Sequence, residues 1–228
     1  MVDAVLLEWE GVLADTRRAR RDALRGALAA EGVSHTLSDD DQQLRGLGVR
    51  AAVRVVLRHM GCSDETLADL LEARASRAFA ADLVGGLVLA PGATAFMERM
   101  RSRARVAIVT RASRADTETI LRLSGFEDAV TTIVCADDLA VDAAPSAAHT
   151  QAMARLGRVR AVEPAGAVAI ADALPGIRAA RSAGLRVLAV GAPAHEALEA
   201  DVAFDSLDRL TLDDLVRRGT SSADGGPR

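Results

Sequence analysis

Six short apolar runs punctuate this chain, and most are continuous rather than alternating: Val5-Leu6-Leu7, Val106 to Val109, Val130 to Val134, Ala167 to Ala171, Arg186 to Val190 and Val202 to Phe204. A strand that is apolar on both sides has both faces covered, which is the signature of a parallel sheet between layers of helix. Helical spacing fills several of the gaps. Phe96, Met97 and Met100 suit one helix, and Thr119 to Leu123 suit another that stops at Gly125; segments near 146–156 and 175–183 suit two more. Strands alternating with helices predict an α/β chain.

The first gap is far longer than the others. From about 17 to 82 the pattern is helical throughout. Ala23, Leu24, Ala27 and Leu28 form one stripe that stops at Gly32. Val53, Val56, Leu57 and Met60 form a second that stops at Gly61, and Leu67, Leu70 and Leu71 a third, with Ser63 as its expected N-cap. No strand signal interrupts the block, so it reads as a helical insert after the first strand. Gly85-Gly86 offers a flexible hinge at its far end. The last residues, 219–228, are rich in Ser, Gly and Asp and are expected to be disordered.

Composition narrows the function. The 228 residues carry a formal charge of −4, which argues against a nucleic-acid partner. No apolar run reaches the roughly 18 residues of a membrane span. No basic n-region precedes the first apolar stretch, as a secretory signal would require. Cys62 and Cys135 lie far apart and suit no metal or disulfide framework, which fits a reducing cytoplasm. All 28 basic residues are arginine, so no site here uses lysine chemistry.

In an open parallel sheet the ligand lies beyond the carboxyl ends of the strands. Those ends carry Glu8 and Glu10, Thr110 and Arg111, Asp137 and Asp138, and Asp172. Glu8-Trp9-Glu10-Gly11-Val12-Leu13-Ala14-Asp15-Thr16 sets two acids two residues apart before a glycine, so both can face one site. Trp9, the only tryptophan, either stacks on a substrate there or packs beneath the insert. Asp15 and Thr16 suit the cap of the first helix of the insert. Arg17-Arg18 and Arg20-Arg21 read as a solvated helix face, and the four histidines have no partner at catalytic or metal spacing.

The stretch from Glu8 to Thr16 resembles the first motif of the haloacid dehalogenase superfamily, Asp-x-Asp-Gly-Val/Thr-Leu-x-Asp-Ser/Thr. The resemblance continues in order along the chain. Leu89-Ala90-Pro91-Gly92 is similar to the return into the core in the β-phosphoglucomutase and phosphoglycolate phosphatase branch. Val106 to Thr110 is similar to the second motif. Ala143-Ala144-Pro145 stands where the third has Gly-Lys-Pro, and Ala171-Asp172-Ala173 where the fourth has Glu-Asp-Ser. The resemblance implies a Rossmannoid three-layer core with a parallel sheet (1–15 and 89–218) and a helical C1-type cap inserted after the first strand (16–88). It implies a cap that opens and closes over the strand ends, with Leu44-Arg45-Gly46-Leu47-Gly48 as its substrate-reading loop.

The resemblance also implies Mg²⁺-dependent hydrolysis of a small phosphorylated metabolite, with a covalent carboxylate nucleophile. On that reading Glu8 is the nucleophile and Glu10 the proton shuttle, while Glu8, Glu10 and Asp172 hold the metal. Thr110, Arg111, Trp9 and Arg45 bind an anionic small molecule. Every departure from the pattern falls on the chemistry. Two aspartates are glutamates, each reaching one bond of about 1.5 Å further. The third-motif lysine is Ala144, and one magnesium acid is Ala171. Misplacement by about 1 Å can cost on the order of a hundredfold. Three outcomes are consistent with these losses: a weak or altered phosphohydrolase with weak or absent Mg²⁺, a silent binding or partner protein, and a different reaction using Glu8 or Glu10 as acid/base. The sequence carries no signal for oligomeric state.

Overall fold

A computed structural model describes residues 2–33, 44, 47–140, 142–158 and 160–216. Arg45 of the expected reading loop and the tail at 219–228 lie outside the described residues. The strands are β1 (Ala4–Glu8), β2 (Arg105–Val109), β3 (Thr132–Val134), β4 (Ala167–Ala171), β5 (Arg186–Val190) and β6 (Val202–Phe204). They form one parallel sheet in the order β3-β2-β1-β4-β5-β6, with Glu8 opposite Val109 and Leu7 opposite Ile170. β1 is therefore central, and both of its neighbours hold its last residues in register.

Helices are α1 (Arg17–Ala30), α2 (Val49–His59), α3 (Glu65–Gly86), α4 (Ala93–Arg101), α5 (Arg114–Ser124), α6 (Ala147–Leu156), α7 (Leu174–Ser182) and the short α8 (Ala194–Ala197) and α9 (Leu212–Val216). Strand periodicity sorts β1 between the two faces. Val5 and Leu7 enter one apolar cluster with Phe96 and Met97 of α4 and Ile120 of α5. Ala4 and Leu6 enter another with Ala152 and Leu156 of α6 and Ile177 of α7. The sheet is the middle of three layers.

The third strand is shorter than its apolar run implies, because a 3₁₀ turn at Glu127–Ala129 takes up the approach and pairing begins only at Thr132. Its outer side is an edge. There Arg155 of α6 donates to the Ile133 carbonyl, and its other terminal nitrogen lies 2.8 Å from Asp138.

Between β1 and α4 the described chain forms three helices and no strand of the sheet. Helices α1, α2 and α3 bury a cluster of their own, including Leu24, Leu28, Val53, Val56 and Leu71. Phe79 and Leu83 at the near end of α3 join the sheet's cluster instead. The cap of α3 is Asp64 rather than Ser63: its carboxylate accepts from the backbone nitrogens of Thr66 (2.9 Å) and Leu67 (3.1 Å). Leu70 points outward at 41% exposure, one position off the buried stripe. The two crossings into the insert pair with each other. Asp15 N donates to Val88 O (3.1 Å) and Ala90 N to Leu13 O (2.9 Å). Gly85 and Gly86, expected as a loose hinge, form the last turn of α3.

Candidate active site

β1 ends at Glu8, and the chain turns at once. Gly11 N bonds Ala14 O (2.9 Å), and Leu13 N and Ala14 N both bond Trp9 O. Gly11 adopts φ +79°, which a side chain rarely tolerates. It also leaves room for an acid: a Cβ there would lie 1.9 Å from Asp172 Oδ2. Gly176, in the first turn of α7, does the same for Glu8, whose Oε1 would lie 1.8 Å from a Cβ. Glycine thus lets both acids press against backbone at the centre of the sheet. Asp172 N approaches Glu8 Oε2 at 3.4 Å. Glu196 of α8, buried, accepts from Leu174 N at 2.6 Å and so fixes the α7 N-terminus just beyond Asp172.

Loss of water pushes the Glu8 carboxyl up to about 8. The negative charge of Asp172 adds to the rise and the Arg111 guanidinium opposes it, with a smaller upward contribution from Glu10. The charges of Asp172 and Arg111, and more weakly that of Glu10, are thus felt at the Glu8 carboxyl. Thr110 follows β2, and its hydroxyl oxygen accepts from Ala112 N at 3.1 Å. Ala144, where the lysine is missing, is exposed in the turn before α6. The acids on its side add no free charge at 138. Asp138 accepts from Arg114 and Arg155, which hold its carboxyl well below the usual range. It also accepts from the Cys135 thiol at 3.1 Å. Burial and this partner push that thiol up to about 12, so it is not a nucleophile at neutral pH.

Glu10 faces elsewhere. Its Oε1 accepts from the Thr16 hydroxyl at 2.9 Å, and Arg20 Nη1 lies 3.0 Å from its Oε2. Thr16, at the start of α1, makes no side-chain capping bond to the helix; its hydroxyl donates to Glu10 instead. Arg20 is not on a solvated face. It is 8% exposed, donates also to the Leu47 carbonyl, and stacks 5.2 Å over the ring of Phe79. The signal for it lay in the helical period: Arg20 precedes Ala23, Leu24 and Ala27 by three, four and seven positions, on their buried face. Opposite it, from α5, the buried Asp116 lies within reach of its charge.

Two further site expectations are corrected. Trp9 is 2% exposed and meets Phe126 with ring centroids 6.2 Å apart, so it packs in the core and does not face a ligand. The strand's alternation aims position 9 away from the mouth. Glu8, Glu10 and Asp172 do not converge as three metal ligands: among the described residues no group of three or more His, Cys, Asp or Glu is placed to hold a metal. The reason is the commitment of the Glu10 carboxylate to Thr16 and Arg20. Glu8 and Asp172 remain, two neighbouring carboxyls whose mutual repulsion a hard, oxygen-seeking dication relieves. That pair fits Mg²⁺ by charge and donor type.

Part of the insert touches the core. A Cβ on Gly48, the N-cap of α2, would lie 2.3 Å from the Arg111 carbonyl oxygen. Arg50 is exposed and pairs with Glu72 (3.4 Å).

A central parallel strand ending in paired acids, with a helical insert beginning at the next turn, defines a class of hydrolase. The chain belongs to the haloacid dehalogenase-like hydrolase family, whose model matches residues 2–184. Among curated relatives it is 30% identical to protein CbbY of Cereibacter sphaeroides, over 82% of this chain and 84% of that one. It is 28% identical to protein CbbY of Rhodobacter capsulatus, over 81% and 83%. Among solved structures it is similar to CbbY from Rhodobacter sphaeroides in complex with phosphate, with a TM-score of 0.83 and 27% identity, covering 94% of this chain and 99% of that one. The same protein, as a mutant, has been solved in complex with xylulose-(1,5)bisphosphate. A β-phosphoglucomutase from Clostridium difficile shares the fold, with a TM-score of 0.80 at 19% identity over 93% of this chain and 95% of that one. Among the described residues no helix is long and apolar enough to cross a membrane, and both cysteines are free.

Proposed function

We propose that this protein is a diverged phosphohydrolase of its family that binds a small phosphorylated metabolite at the mouth of β1. Residues 16–88 act as a cap over a core of 1–15 and 89–218. The observation that carries the reading is the convergence of Glu8, Asp172 and Arg111. A carboxyl pair and a guanidinium at one strand mouth are what a phosphate ester and its counter-cation require. CbbY structures with phosphate and with a bisphosphate sugar support the ligand class.

Glu8 and Asp172 would hold Mg²⁺, which when bound neutralises phosphate oxygens and stabilises charge in transfer. Arg111 presents its fork of donors to the phosphate. Thr110, whose oxygen is committed to Ala112 N, keeps its O–H as a donor. The overall reaction is hydrolysis of a phosphate monoester, the ester P–O bond exchanged for one to water's oxygen. Once ionised, Glu8 is the group placed to attack phosphorus or to orient that water. Its reach differs from an aspartate's, and no lysine balances the charge, so turnover is slow for the family.

One observation favours a second reading, a protein that binds the ester without turnover. Both oxygens of Glu10 are already engaged, by Thr16 and Arg20. A panel of sugar and carboxylate phosphate monoesters with Mg²⁺ separates the two. Turnover that Glu8→Ala abolishes and Glu8→Asp raises supports hydrolysis. Phosphate binding by calorimetry with no release from any ester establishes the second reading.

A further inference from the structure

We propose that Glu196 is a positioning residue for the carboxyl pair, holding the turn between β4 and α7 so that Asp172 and Gly176 keep their places against Glu8. The inference deepens the reading of that pair as a Mg²⁺ and phosphate site and rests on it.

The turn has little of its own to hold it. Ala173, the N-cap of α7, offers no side-chain oxygen to the helix, and Pro175 in the first turn has no N–H to anchor. Leu174 N is one of the nitrogens that a helix start leaves without an intrahelical partner. Its acceptor comes from 22 residues further along the chain: Glu196 Oε2, at 2.6 Å. Glu196 stands on α8, where its own nitrogen and that of Ala197 both donate to Pro193 O at 2.9 Å, so the base of the side chain is fixed. The residue is 7% exposed. A carboxylate withdrawn from water is destabilising unless it is hydrogen-bonded, and this one is aimed at α7 rather than at its own helix.

Two contacts join the anchored nitrogen to the site. Only Asp172 and Ala173 separate Leu174 from the end of β4, which lies between β1 and β5. The segment is therefore held at one end by the sheet and at the other by Glu196. Within it, Asp172 N approaches Glu8 Oε2 at 3.4 Å. Two residues past Leu174, Gly176 lies so close that a Cβ would come within 1.8 Å of Glu8 Oε1. Releasing Leu174 N frees the turn that makes both contacts. Glu196 acts through this backbone and is not itself assigned as a ligand. Supporting bonds of this kind are typically worth about ten- to a hundredfold in metal affinity.

Two single changes separate reach from charge. Glu196→Gln keeps an acceptor oxygen at the same reach and removes the charge. Glu196→Asp keeps the charge and falls short by one bond, about 1.5 Å. Glu196→Ala removes both. Mg²⁺ affinity is measured by calorimetry on the folded proteins, and amide exchange at Asp172 on the same proteins without metal. Glu196→Asp and Glu196→Ala are expected to weaken Mg²⁺ about tenfold and to speed exchange at Asp172. Glu196→Gln is expected to stay within about threefold of wild type in affinity and to leave that exchange unchanged. Circular dichroism confirms folding. If Glu196→Ala fails to fold, the Gln and Asp variants still decide between reach and charge.

A cap that serves stability alone would lower the melting temperature of these variants and leave their Mg²⁺ affinity unaltered, and that result overturns the proposal. So does Glu196→Gln that weakens Mg²⁺ as far as Glu196→Ala, which makes charge the cause, and so does unchanged exchange at Asp172 in Glu196→Ala. Mg²⁺ bound equally by wild type and Glu196→Asp refutes the role of Glu196 alone, whereas no Mg²⁺ binding by wild type refutes the site reading beneath it.

Discussion

Gly11 and Gly176 both make room for an acid, yet replacing them has different costs. At Gly11 an alanine would enter the left-handed region at φ +79° and meet Asp172 as far back as its Cβ, at 2.8 Å. Gly11→Ala is expected to cost about 2 kcal/mol or more in urea unfolding. At Gly176 the alanine would meet only the far end of the Glu8 side chain, which can swing aside. The helix gains roughly 1 kcal/mol from the same change. Gly176→Ala is therefore expected to hold its stability within about 1 kcal/mol while losing Mg²⁺ affinity in calorimetry, because the Glu8 carboxyl is driven from Asp172.

His149 gives a pH signature at the same scale. Burial on α6 lowers it from an ordinary 6.5 to about 4, and among the described residues its Nδ1 has no partner. Between these values the unfolded chain binds a proton that the folded chain refuses. Its contribution is fully present above about 6.5 and is lost as pH falls towards 4, on the order of 3 kcal/mol. Replacing His149 by Leu should flatten that part of the stability profile, measured by denaturant unfolding between pH 4 and 7.

Individual residues also show what was legible in advance. The placing of Glu8, Thr110, Arg111 and Asp172 at neighbouring strand ends was readable because each follows or closes an apolar run, and a parallel sheet sets such ends side by side. Arg20 was misread because charge usually marks the wet face of a helix, and its place on the buried stripe of Ala23 and Leu24 was the contrary signal. The side Trp9 faces depends on the pleat of a strand whose end cannot be fixed to one residue from composition. The turning of Glu10 to Thr16 was not legible, since it depends on where α1 begins in space.

Among the elements, continuous apolar strands were the easiest to read: β4, β5 and β6 match their runs residue for residue. Caps were harder, because neighbouring polar residues compete for one position. Asp64 and Ser113 both hold helix starts, Ser113 accepting from Asp116 N at 3.1 Å. Each is expected to cost about 1 kcal/mol when changed to alanine. The effects should differ in place. Ser113→Ala loosens α5, whose Ile120 lies in the sheet's cluster, and lowers the global transition. Asp64→Ala loosens α3 where it packs on α1 and α2, and should raise proteolysis within the insert more than it lowers the melting temperature.

For the molecule as a whole, three apolar clusters mean unequal cooperativity. Two share the sheet, whereas the third lies within α1–α3 and reaches the core mainly through the near end of α3. Native-state hydrogen exchange should show the amides of α2 opening at a lower free energy than those of β1 and β4, and with a smaller denaturant dependence. Equal values for both would mean that insert and sheet unfold as one.

The Arg155 side chain that closes on the Ile133 carbonyl has a consequence for life at high concentration. A three-residue border strand with a free carbonyl invites a second molecule to dock alongside, backbone to backbone, and such docking propagates into insoluble stacks. One guanidinium, anchored behind by Asp138, sits on that carbonyl and makes this margin a poorer template for such pairing.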